Sequence, residues 1–271
     1  MTKSSTKNKN SNKIKYVVAI PSYKRHLSIT DKTLRVLEEY KIPPSIIYVF
    51  VANKTEEKLY RGQFTSPYLK KISIIVGKKG LKNQRNFISK YFPPNTNLVQ
   101  MDDDIKGICK MGNYNKSARN ENTLSKLRNL DVLIKKGFSV CREKGVFLWG
   151  VYPLCNAYFM FPRVTEDLRF ITGPFFGMIN RHSPKLRLTL DEKEDSQRTL
   201  QHFVMDGGVI RFNDVSIHTS YYKNKGGMQD EGKDRKKEAM KSAMYLIKKY
   251  PELTKLNVSK KSGVPEVKLI N

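Results

Sequence analysis

The chain of 271 residues carries 51 lysines and arginines against 25 aspartates and glutamates, a formal net charge of +26. Hydrophobic residues make up 39% of it, including 13 phenylalanines and 14 tyrosines, which is enough for a core and excludes a disordered chain. No apolar run reaches the roughly 18–20 residues of a membrane-spanning helix, and the Lys/Asn/Ser-rich start has no apolar signal segment.

The cysteines and the charge set two further expectations. Cys109, Cys141 and Cys155 are odd in number and lack Cys-x-x-Cys spacing, so we expect neither a disulfide framework nor a zinc site. We therefore expect a soluble, reduced protein of the cytoplasm, or of the host cytoplasm or nucleus for a viral protein, and not a secreted one. The positive charge fits either a solvated basic surface or contact with nucleic acid, and charge alone leaves both open.

Apolar strands and helices alternate in the first part of the chain. Four apolar runs predict buried strands, at residues 16–20, 46–52, 72–76 and 98–101. Helical periodicity occupies residues 30–40 and 84–91 between them. This order predicts an α/β fold with a mostly parallel sheet over residues 16–105.

A mixed pattern follows residue 105. We expect helices at residues 123–144, 190–203 and 233–250, and strands at 146–152, 157–161, 170–179 and 209–212. The whole then forms one two-lobed domain over residues 16–250, with a nucleotide-type half (16–105) and a mixed half (106–250). A disordered basic leader (1–15) and a polar tail (251–271) flank it.

Three consecutive carboxylates, Asp102, Asp103 and Asp104, follow the fourth strand. Ligands of open α/β sheets bind outside the carboxyl ends of strands, so the triplet lies where a ligand is expected. Asp102 and Asp104 share one side of an extended segment, and their oxygens suit Mg²⁺ or Mn²⁺ bound together with substrate phosphates. The alternative is an acidic turn that caps the next segment.

Two loops add candidate anion contacts. Residues 80–86 form a glycine loop that opens a helix, with Arg85 in its first turns, and helix N-termini favour phosphate. Residues 20–25 form the loop after the first strand, where a nucleotide could also bind.

An ordered set of segments resembles the GT-A fold glycosyltransferases: IPSYKR (20–25), VANKTE (51–56), GLKNQRN (80–86), VQMDDD (99–104) and KEDSQR (193–198). The resemblance implies a nucleotide-sugar half that ends in a DxD metal motif and an acceptor half with an xED motif.

A narrower resemblance is to the TET-associated glycosyltransferases, relatives of the base J glucosyltransferase. It is carried by WGVYPLCNAYFM (149–160), FITGPFFGMINR (170–181) and HTSYYKNKGGMQ (218–229). It implies a metal-dependent, inverting transfer of a sugar, expected to be glucose, from a UDP-sugar to the hydroxymethyl group of a modified pyrimidine in DNA. Such DNA modification is typical of viral or phage-like proteins.

The resemblance also implies residue roles. On the donor side, Pro21, Ser22 and Arg25 would line the uridine pocket, and Glu56 would lie near the base or ribose. Gly80 and Arg85 would contact the pyrophosphate or sugar, and Asp103 would lie next to them. Asp102, Asp104 and His218 would hold Mn²⁺ or Mg²⁺, although the acidic Asp103 leaves the binding pair open. His218 could equally be an ordinary structural histidine.

Asp195, with Glu194 as its alternative, would be the catalytic base, and a helix-terminal carboxylate is the other interpretation of Asp195. An extruded base needs aromatic surfaces, which predicts acceptor contacts from Trp149 and Tyr152, with Asp206 shaping the same wall.

Two rival functions remain at this stage. One is a transferase of the same fold that acts on a glycan or a protein. The other is a non-enzymatic nucleic-acid-binding protein, which explains the charge of +26 but neither the acidic triplet nor the KED segment. No membrane partner is expected, and the sequence predicts no oligomeric state.

Overall fold

The computed structural model describes residues 14–219, 235–257 and 266–270. Its helices are α1 (Arg35–Glu39), α2 (Lys54–Gln63), α3 (Leu81–Tyr91), α4 (Leu130–Lys144), α5 (Glu194–Asp206) and α6 (Arg235–Lys249). Its strands are β1 (Val17–Pro21), β2 (Ile47–Val51), β3 (Ser73–Val76), β4 (Asn97–Met101), β5 (Ile105–Met111), β6 (Leu124–Lys126), β7 (Leu148–Tyr152), β8 (Val164–Thr165), β9 (Phe175–Ile179), β10 (Ile210–Thr219), β11 (Thr254–Asn257) and β12 (Glu266–Leu269). Within these described ranges, no helix combines the length and the apolar character needed to cross a bilayer.

One sheet runs through both halves in the order β3-β2-β1-β4-β9-β7-β10-β5-β6, and β8 pairs with β10. The first four strands in this order are parallel to one another. From β9 onward the pairing is mixed, because β9 is antiparallel to β4 and β7, whereas β10 is parallel to β7. The predicted α/β class, with a parallel first half and a mixed second half, is confirmed.

The chain order reverses between β1 and β4. Strands β2 and β3 lie on one side of β1, and the chain then returns to place β4 on its other side. Since β1 and β4 are parallel, with Ala19 opposite Gln100, their carboxyl ends lie side by side. A ligand crevice is expected at such a switch point, and Asp102 directly follows β4 there.

Burial and capping explain the main elements. The β1 and β4 strands are almost wholly buried, because helices cover both faces of a parallel sheet. The Asn129 side chain accepts a hydrogen bond from the Val132 amide at the start of α4, and Gly145 ends that helix in the left-handed conformation, at a φ of 67°.

Several predicted boundaries are wrong. The helix expected at residues 123–144 is a short strand, β6, followed by α4, because Asn129 caps the helix six residues later than predicted. Residues 157–161 form no strand, and the strand expected at 170–179 is confined to β9. The helix expected at 190–203 is α5, which begins at Glu194, and the strand expected at 209–212 continues to Thr219.

The cysteine prediction is also wrong. Cys109 and Cys155 are joined in a disulfide, whereas Cys141 is free and buried in α4. The two bonded residues are 46 positions apart in the sequence. The pair is formed by the fold and by no local motif.

Some predicted features lie outside the described residues, namely residues 1–13 of the leader, Lys233, most of the 218–229 segment, and residues 258–265 and 271 of the tail. The described part of the tail contains β11 and β12, which pair antiparallel. Leu253, Val267 and Leu269 pack there against a core cluster of Leu168, Leu200 and Leu246.

Candidate active site

The turn after β4 is held from two sides. The hydroxyl of the buried Thr33 donates to the carbonyl oxygen of Asp102 at 2.6 Å and accepts from the amide of Ile105 at 3.0 Å. The Asp102 amide donates to the carbonyl of Pro174 at 2.9 Å. The carboxylates of the turn are therefore presented on a fixed backbone.

Asp103 is the inward-facing member of the triplet. Its Oδ2 accepts from the Ser22 hydroxyl and its Oδ1 from Nη1 of Arg25, each at 2.5 Å. The Ser22 hydroxyl also lies 2.6 Å from the Tyr60 hydroxyl. Burial raises the pKa of Asp103, and Arg25 and Ser22 oppose that rise. Asp103 thus ties the loop after β1 to the end of β4.

Glu56 and Tyr60 on α2 fix the rest of that loop. Oε2 of the buried Glu56 accepts from the Lys24 amide at 2.8 Å, and the Tyr60 hydroxyl accepts from the Arg25 amide at 3.1 Å. The fold therefore brings Ser22, Arg25 and Glu56 together beside the end of β1, where Pro21 lies. Their contact with uridine stays a prediction.

We expect Asp103→Ala to destabilise the fold by about 3–5 kcal/mol, because it leaves the Arg25 guanidinium without its buried partner. Urea unfolding of the variant and the wild-type chain measures this change. Asp214→Ala is the matched control: it breaks an ion pair with the exposed Lys110, at 2.5 Å, and should cost less than about 1 kcal/mol. Equal losses in the two variants would contradict the structural role of Asp103.

Asp102 and Asp104 differ from Asp103 in their orientation and exposure. Their side chains are 30% and 14% exposed, against 5% for Asp103. Asp102 Oδ1 lies 2.8 Å from Nη2 of Arg85, and Asp104 Oδ2 lies 3.4 Å from Nη1 of Arg25. Burial raises the pKa of Asp102; Arg85 opposes the rise and the charge of Asp104 adds to it.

This pair fits a hard divalent cation. The charge of Asp104 opposes ionisation of Asp102, and a cation bound by both carboxylates would relieve this repulsion. Oxygen ligands suit Mg²⁺ or Mn²⁺.

Arg85 is the buried centre of the site. Its side chain is 2% exposed, and it joins two acidic segments, with Nη2 2.8 Å from Asp102 Oδ1 and Nε 3.0 Å from Glu194 Oε1. It also donates to Gln100 Oε1 at 3.0 Å and to the Gly173 carbonyl at 3.1 Å. Protein oxygens thus surround the guanidinium, and the predicted contact of Arg85 with the pyrophosphate or sugar stays a prediction.

Glu194 lies between two buried arginines. Its Oε2 accepts from Nη1 of Arg198 at 2.6 Å, while Arg85 lies on its other oxygen. Both guanidinium groups lie over the Phe176 ring, at 5.3 Å for Arg85 and 3.6 Å for Arg198. Burial lowers the pKa of Arg198, and Glu194 opposes that change. Both carboxylate oxygens of Glu194 are thus paired with arginines, so Glu194 is suited to position them.

Asp195 is the second acid of this segment. It is half-buried in the first turn of α5, and its Oδ1 accepts from the Ser196 amide at 2.8 Å. Burial, and then the adjacent charge of Glu194, raise its pKa to about 6. A Cβ on Gly173 would lie 3.0 Å from Glu194 Oε1 and 3.6 Å from the Asp195 Cβ, so this backbone passes directly beside both acids.

The N-terminus of α3 is already occupied by a carboxylate. Asp191 Oδ1 accepts from the Lys82 amide at 3.1 Å, and its Oδ2 lies 3.3 Å from the Lys82 ammonium. Gly80 enters the helix with a φ of 90°, which favours glycine. Asp191 thus binds one of the amides at the start of α3, and the donor contact of Gly80 stays a prediction. In the sequence, the only indication of this role for Asp191 is its position in the acidic segment 191–195.

His218 lies apart from the carboxylates. Its Nε2 is 3.2 Å from Cys155 Sγ, and Cys109, Cys155 and His218 have ligand atoms within 4.8 Å of one another. Across the described ranges, Asp102, Asp104 and His218 do not form such a group. The assignment of His218 to the carboxylate metal site stays a prediction.

Two predicted acceptor residues lie elsewhere. Trp149 is 0% exposed and packs edge-on against Phe138, Phe175 and Phe212, because the glycines at 137 and 177 leave room for its indole. Asp206 lies at the far end of α5 from Asp195 and pairs with Arg181 at 2.7 Å. Neither can shape an acceptor wall.

Exposed aromatics follow β7. Tyr152 is half-buried, with the Arg211 guanidinium 5.1 Å from its ring centre. Tyr158 and Phe159 are each 49% exposed and pack edge-on at 4.9 Å. These rings, and not Trp149, are available to a ligand.

Comparison with known proteins gives one described likeness. No family model and no curated protein matches the chain. Among solved structures, it is similar to the crystal structure of residues 1–349 of S. aureus TarS in complex with UDP, with a TM-score of 0.48 and 15% identity. The match covers 75% of this chain and 59% of that one, so it spans less than two thirds of the TarS chain.

Proposed function

We propose that this protein is a metal-dependent glycosyltransferase that uses a UDP-sugar as its donor. One observation carries the proposal: buried Arg85 joins Asp102, at the end of β4, to Glu194, at the start of α5. Asp102 belongs to an acidic turn of the kind that binds cations. Glu194 adjoins a half-buried carboxylate, Asp195, whose pKa is raised to about 6. Nucleic-acid binding without catalysis does not require this arrangement of buried charges.

Asp102 and Asp104 would hold Mg²⁺ or Mn²⁺ together with the donor diphosphate. When bound, the cation would neutralise the charge that builds on the leaving diphosphate. The loop containing Ser22 and Arg25 is fixed by Asp103 and Glu56, and we expect it to contact the nucleoside.

Asp195 would take the proton of the acceptor hydroxyl. The acceptor oxygen forms a bond to the anomeric carbon of the sugar, the bond from that carbon to the diphosphate oxygen breaks, and the configuration inverts. A carboxylate with a pKa near 6 is ionised at pH 7 and still basic enough for this step. Glu194 is a positioning residue, because it fixes Arg85 and Arg198 around the first turn of α5.

The acceptor class is the second part of the proposal. We infer a hydroxymethyl-pyrimidine in DNA, with glucose as the transferred sugar, from the resemblance to the TET-associated enzymes and from the net charge of +26. A base extruded from the duplex needs an aromatic surface, and exposed Tyr158 and Phe159 supply one in place of buried Trp149.

The test is transfer of labelled sugar. Purified protein with Mn²⁺ is incubated with a panel of UDP-sugars and with DNA that carries 5-hydroxymethylcytosine or 5-hydroxymethyluracil. Product on hydroxymethylated DNA, absent from unmodified DNA and in excess EDTA, supports both parts. Transfer to a glycan or protein but to no DNA would contradict the acceptor proposal alone. A lack of UDP binding and of donor hydrolysis would contradict the enzyme proposal.

The charge on α6 offers a separate test of the acceptor. We expect a triple Lys236→Ala, Lys237→Ala, Lys241→Ala variant to bind DNA more weakly, with a salt slope smaller by about 0.9 for each phosphate that the variant no longer neutralises. Fluorescence anisotropy on unmodified DNA at several salt concentrations measures this, while hydrolysis of the UDP-sugar should not change.

The matched control removes the same charge from another exposed surface, through Lys58→Ala, Lys70→Ala and Lys71→Ala. This control should keep most of the DNA affinity. Equal reductions in affinity in the two triple variants would show a response to total charge only and would contradict a DNA-binding role for α6.

A further inference from the structure

Two cysteine sulfurs and one imidazole converge on the adjacent strands β7, β10 and β5 of the mixed half-sheet. Cys109 lies on β5, Cys155 follows β7, and His218 lies near the end of β10. Their ligand atoms lie within 4.8 Å of one another, with His218 Nε2 3.2 Å from Cys155 Sγ. This grouping is independent of the carboxylate site and of the proposed transferase function.

Strand register explains why these residues meet. β10 is antiparallel to β5, with Ser216 opposite Cys109 and His218 opposite Gly107. Residues two apart on a strand share a face, so Cys109 and His218 are diagonal neighbours on the same face. The Ser216 hydroxyl donates to the Tyr152 carbonyl at 2.7 Å, which ties β10 to the end of β7, three residues before Cys155.

We propose that Cys109, Cys155 and His218 form a zinc site. The site binds Zn²⁺ when the two cysteines are thiols and does not bind it when they are joined in a disulfide. Two thiolates and one imidazole are ligands that Zn²⁺ prefers, whereas Mg²⁺ and Mn²⁺ prefer the carboxylates of Asp102 and Asp104. Three protein ligands leave a fourth tetrahedral position, and exposed His218 places that position toward solvent.

The surroundings favour a soft metal. Cys109 is buried with Met111 and Met160, and Leu124 and Tyr152 pack against this cluster. An apolar setting shields the metal–thiolate bonds from water on the inner side.

The two states interconvert by a balanced step. A dithiol reductant gives two electrons and two protons to the Cys109–Cys155 disulfide, which yields two thiols while the dithiol becomes a disulfide. Zn²⁺ then displaces the two thiol protons and binds both sulfurs and the His218 nitrogen. Oxidation by a disulfide reagent reverses the change and releases the metal.

The experiment uses the full chain in both redox states. Protein reduced with a phosphine and freed of metal is titrated with Co²⁺, whose thiolate charge-transfer absorption reports sulfur ligation, and then with Zn²⁺ as competitor. We expect one Co²⁺ per reduced chain, displaced by Zn²⁺, and none in the oxidised chain. Thiol titration should give three reactive groups after reduction under denaturing conditions and one, Cys141, after oxidation.

Variants separate this site from other binding. Cys155→Ser should abolish the charge-transfer band, and His218→Ala should weaken Co²⁺ binding at least tenfold. Cys141→Ala, the matched control, should keep the band, as should Asp102→Asn. Circular dichroism verifies that each variant is folded, and reduced wild-type protein should melt at a higher temperature with Zn²⁺ than without it. A reduced, folded chain that binds no Co²⁺, or a band that survives Cys155→Ser, would overturn the proposal.

Discussion

Replacement of Asp195 by asparagine is expected to abolish sugar transfer, to leave donor binding unchanged and to make the fold more stable. Asparagine keeps the shape of the side chain and an oxygen that accepts from the Ser196 amide at 2.8 Å, but it cannot take a proton. Loss of a general base lowers kcat by about a hundredfold to ten-thousandfold. Single-turnover transfer and calorimetric titration with UDP measure the two activities separately.

The gain in stability follows from the pKa of Asp195. Burial and Glu194 raise it to about 6 in the folded chain, against about 3.9 in an unfolded one. The folded state therefore favours the protonated acid, and its ionisation at neutral pH costs stability. We expect the variant to be more stable by about 1–3 kcal/mol at pH 8. The difference should shrink as the pH falls from about 6 to about 4, because the wild-type carboxyl then becomes neutral in the folded state.

The same pKa predicts the pH dependence of transfer. Activity of the wild-type enzyme should rise as the pH increases through about 6 and then reach a plateau, since only the carboxylate form accepts the proton.

Glu194→Gln is the matched control for the base. It should leave a measurable rate, but destabilise the fold, because it removes the charge between Arg85 and Arg198. If Asp195→Asn turns over normally while Glu194→Gln is inactive, the base is Glu194.

Local sequence patterns predicted the site best where the position of a residue depends only on the backbone topology. An apolar run followed by Asp102 locates a strand end, and parallel pairing then brings that end beside Pro21 and Ser22. Neither inference requires knowledge of side-chain packing. The α/β class and the place of the acidic triplet were accessible from sequence for this reason.

Long-range side-chain contacts were not accessible. Arg85 looked like a phosphate ligand because it follows a glycine loop, but Gln100, Asp102 and Glu194 lie around it only after β4 and α5 are packed. Asp191, more than 100 residues away in the sequence, accepts a hydrogen bond at the start of α3. Both sets of contacts were missed for one reason: a motif indicates the kind of partner, whereas the fold determines which protein groups lie nearby.

The aromatic residues also show that the sequence alone does not determine side-chain packing. Trp149 was expected at the acceptor because an extruded base needs an aromatic surface, but glycines at 137 and 177 create a buried space for its ring. Tyr158 and Phe159, only nine and ten positions later, lie outside the core. Composition predicts that aromatic rings are available, and packing decides which of them remain exposed.

The second large effect concerns the carboxylates at the end of β4. We expect Asp104→Ala to abolish transfer, by a factor of about a thousand or more, and to remove Mn²⁺-dependent binding of UDP. Asp102→Ala should also reduce both, but through two causes, since it removes a ligand and also an oxygen 2.8 Å from Arg85. Calorimetry with UDP, with and without Mn²⁺, measures the binding term directly.

Stability distinguishes the two carboxylates. Asp104→Ala should leave the unfolding free energy within about 1 kcal/mol of wild type, because the main ion pair of Arg25 is with Asp103, at 2.5 Å. Asp102→Ala should lose more stability, because Arg85 is 2% exposed and loses one of its two acidic partners. Asp102→Asn, which keeps an oxygen for Arg85, should recover part of this stability without recovering Mn²⁺-dependent binding.

This partial recovery separates ligation from packing. If the carboxylates served only to cap the turn, the asparagine variant would restore activity together with stability, and EDTA would have no effect on transfer. If they hold the cation, stability returns while activity does not, because an amide oxygen carries no charge to offset that of the metal. Full activity of an Asp102→Ala, Asp104→Ala double variant, or undiminished transfer in excess EDTA, would contradict metal binding at this turn and leave Arg85 with a purely structural role.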